Sequence, residues 1–395
     1  MAEDLLPLYF GNTLLFLYFS IFSMLAFFSF SAIFCKNKKI DYCVFGAITI
    51  MAVLFYGLRE PRTPDIIVYA AAFKNLGDLS SFQWGPSFYL FMKFLHIFGD
   101  TTSYFIFSSS LVFVLLFSIT IMVIVNDYYK SFFLITFLLG WGFLDLATNT
   151  FRQGLAMPFV ILFAHCLINR RFFLSIVFGS IAVGFHWSSS IIIMMIVFSV
   201  LIADRTILLR AITKFTLILF IASFFIDLNF SEWLGNGPLA QYATMLGFAG
   251  NVSDKVDAYM NTDLDGAKFY AMTPLKRIYN TSEFLIYLII IAYSFLKTSG
   301  KSGYITGKDK VYRTYYSIFI ILSSYSIILI SMTWFFRNIY WAIGFAPMLL
   351  IFTMRRINAL RDSNRIIILY TYMILLLIFS SITCWRVQLM SLSYS

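Results

Sequence analysis

Long apolar runs, parted by short polar segments, dominate the chain. A helix that crosses a hydrocarbon core of about 30 Å needs about 20 apolar residues. Runs of that kind fall at roughly 12–34, 41–57, 103–125, 131–147, 150–168, 207–228, 283–297, 313–332, 336–354 and 366–385. The stretch 172–203 is too long for one crossing, and the polar step His186-Trp187-Ser188-Ser189-Ser190 splits it into 172–185 and 188–203. The pattern predicts an all-α, polytopic membrane protein, a single transmembrane domain over 1–395 with about 12 transmembrane helices. Segment 86–98 is apolar but short, and it carries Lys93 and His96.

Charge placement decides how that segment is read. Lys and Arg concentrate in cytoplasmic loops. Lys36, Lys38 and Lys39 put the first loop inside, so the N-terminus lies outside. If 86–98 crossed, then Arg170-Arg171, Arg205 with Arg210, and the basic loops Lys297–Arg313 and Arg355–Arg365 would all face out. The expectation is therefore that 86–98 is re-entrant or interfacial, with both termini periplasmic. Two long outer loops result, 58–102 with the re-entrant segment and 229–282. Trp84, Gly85 and Pro86 mark a turn in the first, and the 299–310 stretch reads as a flexible cytoplasmic connector.

Composition agrees with this picture. The chain is 60% hydrophobic, 20% aromatic and 12% charged, with a mean hydropathy of +0.83. A soluble domain carries about 25% charged residues, so a cytosolic enzyme, a nucleic-acid binder and a disordered chain are excluded. The net charge of +10 follows from basic cytoplasmic loops. The acidic start and long first run imply a retained first helix rather than a cleaved leader. Cys35, Cys43, Cys166 and Cys384 lack a shared oxidising face, so no disulfide is expected. The spacing of His96, His165 and His186 fits no zinc pattern, and Asp254, Asp257, Asp263 and Asp265 fit no calcium loop. No metal and no cofactor is expected.

The costly polar residues gather toward one membrane face. They are Arg59, Arg62 and Asp65 after the second run, Asp145 and Asn149 at the end of 131–147, and Arg152 with Gln153 at the start of 150–168. His186, Lys276, Arg277, and Arg337 with Asn338 complete the set. An arginine at a helix centre costs roughly 2.5–3.5 kcal/mol on insertion scales, and less near an end. Each of these arginines also suits a snorkelling interfacial role. Together, beside inward-running helix N-termini, they suit an anion trap, since guanidinium forks bind phosphate bidentately. A phosphate or pyrophosphate on a lipid carrier fits such a cavity. An imidazole such as His186 exchanges protons near neutral pH, or it is a helix-cap histidine. Asp65 is either a general base or the ion-pair partner of Arg59. Tyr69, Trp84 and Trp233 suit either stacking on sugar rings or an interfacial aromatic belt.

Read in order, these positions resemble a known pattern. It consists of Gly57-Leu58-Arg59 with Asp65 and Tyr69, then Asn149-Thr150-Phe151-Arg152-Gln153-Gly154-Leu155-Ala156, then His186-Trp187-Ser188-Ser189, then Arg337-Asn338. The set resembles the EpsG-like branch of Wzy-type O-antigen and exopolysaccharide polymerases over about 57–340, and its most specific piece is Phe-Arg-Gln-x-Leu-Ala.

The resemblance implies a metal-independent glycosyltransferase of the bacterial inner membrane. It would polymerise oligosaccharide repeat units, carried on undecaprenyl pyrophosphate, into O-antigen or a related polysaccharide at the periplasmic face of a Gram-negative cell. Its implied partners are the lipid-linked donor and acceptor glycans, the bilayer and a chain-length regulator, with no nucleic acid. Arg59, Arg152 and Arg337, with Arg277 less firmly matched, would bind the pyrophosphate and stabilise it as leaving group. His186 would activate the acceptor hydroxyl, with Asp65 as rival base. Gln153, Asn149, Tyr69 and Asn338 would contribute to substrate binding. Two alternatives share the lipid-linked substrate: an O-antigen ligase acting on lipid A-core, and a lipid-linked oligosaccharide transporter.

Overall fold

The structure, a computed structural model, describes residues 12–59, 63–79, 82, 84–228, 268–298, 307–332, 335–359 and 375. All regular structure among the described residues is helical. The helices fall into two compact units, Met1–Ile196 with Pro347–Ser395, and Val197–Ala346.

The first unit opens with α1 (Asn12–Phe34) and α2 (Lys38–Gly57). A sharp turn separates them, with Lys36 at φ 52. Asn37 then caps α2, its side-chain oxygen accepting from the N–H groups of Lys39 and Ile40 at 2.9 and 3.3 Å. Next come α3 (Pro64–Lys74), α4 (Pro86–His96) and α5 (Thr102–Ile124). They are followed by α6 (Lys130–Leu138), α7 (Trp141–Thr148), α8 (Phe151–Ile168), α9 (Phe172–Phe185) and α10 (Ser189–Ile202). The unit boundary cuts α10 after Ile196, and α15 (Ala346–Ala359) lies in the first unit from Pro347 on.

Its core is aromatic. Phe113 and Phe117 of α5, Phe137 of α6, Phe143 of α7 and Phe151 of α8 are at most 1% exposed. Their contacting ring centroids lie 5.0–5.8 Å apart in tilted and edge-on pairs. Such geometries satisfy the ring quadrupoles as well as burying area. Asp41 supplies the polar counterpart. Fully buried on α2, it accepts from the Lys130 and Ser131 N–H groups at 3.1 and 3.0 Å and from the Ser131 hydroxyl at 2.6 Å. A carboxylate there satisfies the orphan donors of α6 and meets the positive end of its dipole.

The second unit contains α11 (Thr206–Ala222), α12 (Pro274–Thr298), α13 (Gly307–Ile328) and α14 (Phe336–Ile343). α13 packs on both α11 and α14. Hydroxyls stitch the apolar surfaces: Thr213 pairs with Tyr316 at 2.6 Å and Thr216 with Ser324 at 2.7 Å. Phe295 stacks on Tyr316 at 3.7 Å.

Among the described residues five helical stretches are individually long and apolar enough to cross a membrane: α2, α5, α8, the Pro274–Leu296 part of α12, and Phe336–Arg355. The pair α6 and α7 makes a sixth if taken as one broken span, bent by 77°. The predicted run 131–147 is therefore two helices, which meet at Gly140. The split at His186 is present, α9 and α10 each being 14 residues long. α12 begins well before the predicted 283, because Pro274 starts it and the basic pair Lys276-Arg277 lies in its first turn. The segment 58–102, expected as an outer loop, contains two 11-residue helices, α3 and α4. At about 1.5 Å rise per residue, α4 is about 16 Å long, short of a crossing. The expected last run 366–385, both termini, Arg62 and most of 229–282, with Trp233 and its aspartates, lie outside the described residues.

Candidate functional site

The Phe151-Arg152-Gln153-Gly154 stretch opens α8, and its letters divide between packing and presentation. A Cβ on Gly154 would lie 2.3 Å from the Leu146 carbonyl oxygen and 2.7 Å from the Phe113 ring. Only glycine lets α8 start this close to the end of α7. Phe151 joins the aromatic core, and Gln153 is 1% exposed. Arg152 instead points away from that core. The turn before it is organised by Asp145, whose main-chain oxygen accepts from the N–H groups of Asn149 and Thr150, both at 2.8 Å. The Asp145 carboxylate accepts from the Asn149 side chain at 3.1 Å and the Thr150 hydroxyl at 3.3 Å. Asn149 is thereby held at the mouth of the turn.

Arg152 reaches α3 and the α3–α4 turn. Its Nε donates to the Tyr69 hydroxyl at 2.8 Å, and its Nη1 to the Trp84 carbonyl at 3.3 Å. The guanidinium carbon lies 5.5 Å from the Tyr69 ring centre and 6.0 Å from that of Trp84. Tyr69 and Trp84 meet edge-on at 5.2 Å. Nη2 is accessible and makes no hydrogen bond among the described residues. One edge of the cation is thus anchored at the first turn of a helix, while Nη2 has no hydrogen-bond partner among the described residues.

Arg59 is placed differently. It is 8% exposed. Its Nη1 donates to the Tyr56 carbonyl and, at 2.8 Å, to the Ser110 hydroxyl, and its Nη2 to the Ala147 carbonyl at 3.0 Å. The Thr63 hydroxyl donates to the neighbouring Thr148 carbonyl. Gly57 permits this convergence, since a Cβ there would press on the Phe107 ring at 2.8 Å. Arg59 therefore staples the end of α2 to α5 and α7, next to the turn that carries Arg152. Asp65 lies half-buried in the first turn of α3, one residue after Pro64. An acid in that turn favourably meets the helix dipole.

His186 caps the end of α9, its N–H donating to the Ala182 carbonyl at 2.9 Å. Its own carbonyl accepts from the Ser189 N–H at 3.0 Å, where α10 begins. Nearby, Gly85 adopts φ +102, and a Cβ there would sit 2.6 Å from the Gly184 carbonyl oxygen. A Cβ on Gly184 would collide with Ser87. The Trp84–Gly85–Ser87 turn and the end of α9 are thus in direct backbone contact.

The other candidates belong to the second unit. Arg277 donates through Nε to the Phe269 and Met272 carbonyls, both at 3.1 Å, and through Nη2 to the Tyr270 carbonyl at 2.8 Å. It locks the turn that leads into α12. The Tyr270 hydroxyl accepts from the Leu228 N–H at 2.7 Å. Burial pushes its pKa above the usual tyrosine value, opposed by that hydrogen bond. Arg337 is half-buried in the first turn of α14. The carbonyl of Asn338 accepts from the Ser326 hydroxyl at 2.9 Å.

Arg152, Tyr69 and Trp84 thus form one contact group, with Asn149 and the Arg59 staple beside it along the chain. Sequence reading named Trp84 only as a turn and a stacking candidate. It did not see Ser110, whose signal was a serine run, Ser108-Ser109-Ser110, inside an apolar helix.

The whole pattern, from Arg59 through Arg152 to Arg337, falls inside a match to the EpsG family over residues 41–394. The chain belongs to the EpsG family. No curated protein and no solved structure matches it. Within this EpsG family chain the match spans both compact units, so Arg277 and Arg337 fall inside the family region as Arg152 does. Among the described residues no group of His, Cys, Asp and Glu is arranged to hold a metal ion.

Proposed function

We propose that the protein joins lipid-diphosphate-linked oligosaccharide repeat units into a polysaccharide at the periplasmic face of the bacterial inner membrane. Family membership supports the coarser statement, a membrane polysaccharide polymerase. The single observation that carries the finer one is the Arg152 guanidinium, anchored by Tyr69 and Trp84 with Nη2 making no hydrogen bond among the described residues. A cation at the first turn of a helix lies at the positive end of the dipole, where an anion offsets both charges. A planar guanidinium with a free edge suits a phosphate oxygen.

In the proposed reaction the growing glycan is the donor. A sugar hydroxyl of the incoming lipid-linked unit attacks the anomeric carbon at the donor's reducing end. The carbon–oxygen bond to the carrier diphosphate breaks, and the diphosphate leaves with the electron pair. The hydroxyl proton passes to a base, for which His186 and Asp65 are the candidates. Arg152, with Arg59, Arg277 and Arg337 as further candidate cations, stabilises the charge that develops on the diphosphate. Asn149, Gln153 and Asn338 are proposed to shape the headgroup site, and Tyr69 holds Arg152 in place. The proposed partners are the lipid-linked donor and acceptor in the bilayer and a chain-length regulator.

The test is reconstitution. Purified protein in lipid nanodiscs, given lipid-linked repeat units alone, should yield glycans of two or more repeats. Absence of elongation by folded protein would overturn the reading, and transport without elongation would assign a transporter. In cells, deletion should leave lipopolysaccharide bearing a single repeat unit, whereas complete loss of attached O-antigen would assign a ligase.

A further inference from the structure

A cleft of about 520 Å³ opens on the first unit, walled by α9 and α10 and floored by α8. That volume lies in the range of ligand pockets, about 300–1,000 Å³. The lining is almost wholly apolar: Phe163, Ile176, Gly179, Val183, Trp187 and Ile193 supply most of it. Its rim is open rather than capped by protein, with Ile176 67% and Trp187 58% exposed. An apolar rim this exposed suits hydrocarbon rather than water. Gly179 makes its depth possible, because a Cβ there would already press on Phe163 at 3.2 Å and Ile193 at 3.3 Å. From Ile176 to Gly184 the groove follows α9 for about 12 Å, given about 1.5 Å rise per residue.

One end of this cleft lies two residues along the chain from Trp84, a member of the Arg152 group. Pro86 and Gly184 line that end. Gly85, between Pro86 and Trp84, makes the close backbone crossing with Gly184. Trp84 in turn accepts the Arg152 hydrogen bond. Consecutive Cα atoms lie about 3.8 Å apart, so the cleft end at Pro86 is within about 8 Å of Trp84 along the chain. An apolar cleft whose end is two residues from the carbonyl that anchors a guanidinium is complementary to an amphiphile whose anionic head joins directly to a long hydrocarbon tail.

We propose that this cleft seats the isoprenoid tail of the lipid diphosphate, so that the head comes to rest at Arg152. The assignment rests on the proposed function for the identity of the lipid. The branched, unsaturated tail of a polyprenol is the occupant, and a straight phospholipid acyl chain is the rival. The Gly85–Gly184 crossing holds tail and head sites in fixed register, and the substrate slides in from the bilayer without leaving it.

The experiment uses a photoactivatable polyprenyl diphosphate carrying no sugar, added to the full chain in nanodiscs. Labelling is mapped by peptide mass spectrometry. It should concentrate on α9 and α10 and be displaced by unlabelled polyprenyl diphosphate. Ser180→Trp, at an exposed position lining the cleft, should lower labelling about five-fold or more with the thermal midpoint unchanged. Ile193→Ala, which enlarges the cleft, guards against a Ser180 variant that fails to fold, and it should shift the labelled positions. Labelling spread over all lipid-facing helices, or equal labelling by a phosphatidylglycerol probe that polyprenyl diphosphate does not displace, would overturn the proposal. Because the probe carries no glycan, tail binding is read separately from polymerisation. Displaceable labelling without elongation would sink the polymerase reading and keep the cleft, while elongation without cleft labelling would do the reverse.

Discussion

Two arginines from the same short motif set meet different fates. Arg59 donates to protein oxygens of Tyr56, Ser110 and Ala147 through both Nη atoms, while Arg152 donates through Nε and Nη1 and its Nη2 has no partner among the described residues. Arg152→Ala should therefore lower polymerisation by about 10²–10³-fold, the scale for removing one transition-state donor, with normal protein level. Arg152→Lys should also be impaired, since a lysine cannot anchor one edge and offer the other; wild-type turnover in the lysine variant would reduce its role to charge alone. Tyr69→Phe removes the oxygen that orients Nε. A hydrogen bond to a charged group contributes about 1.5–3 kcal/mol, so a drop of about ten-fold or more in kcat is expected, read from single-turnover elongation. Arg59→Ala should act on folding as well as activity: it removes donors from the Ser110 hydroxyl and the Ala147 carbonyl and leaves the Tyr56 carbonyl with the Ser110 hydroxyl alone, and the thermal midpoint should fall by several degrees. A stable, inactive Arg59→Ala protein would instead place Arg59 directly on substrate.

At the scale of helices, close packing at two glycines positions the site. Gly154→Ala drives a methyl into the Leu146 carbonyl and the Phe113 ring, and should destabilise the α7–α8 junction by about 1–3 kcal/mol, the range for overpacking, measurable by thermal unfolding in detergent. The long helices were legible in the sequence because length and apolarity suffice to define a crossing. The break at His186 was legible for the same reason, since three serines, a histidine and a tryptophan interrupt an otherwise continuous run. The bend between α6 and α7 was not, because Gly140 reads as one more small residue in an apolar stretch. α3 was missed because an 11-residue helix between longer apolar runs has no length signal. Nothing in the sequence around Asp41 announces its role, for it caps a helix about ninety residues later in the chain. Local patterns report on local energetics, and that contact is made only after α2 and α6 have packed. The same reason hid the difference between Arg59 and Arg152.

For the whole molecule, the distribution of basic loops still predicts orientation. A reporter fused after Lys301 should give a cytoplasmic signal, and a periplasmic signal would mean that α4 and its flanks cross the bilayer after all. The two compact units divide the candidate cations, with Arg59 and Arg152 in one and Arg277 and Arg337 in the other. Single alanine variants from each unit, compared for diphosphate affinity, separate headgroup contacts from structural locks such as Arg277.

The tail seat proposed between α9 and α10 has a practical corollary for anyone handling this enzyme. Micelles are made of flexible alkyl chains, and such chains are impostors for a prenyl group. Solubilised preparations should therefore carry a built-in competitive inhibitor, one whose strength grows with surfactant concentration and vanishes on transfer to native lipid.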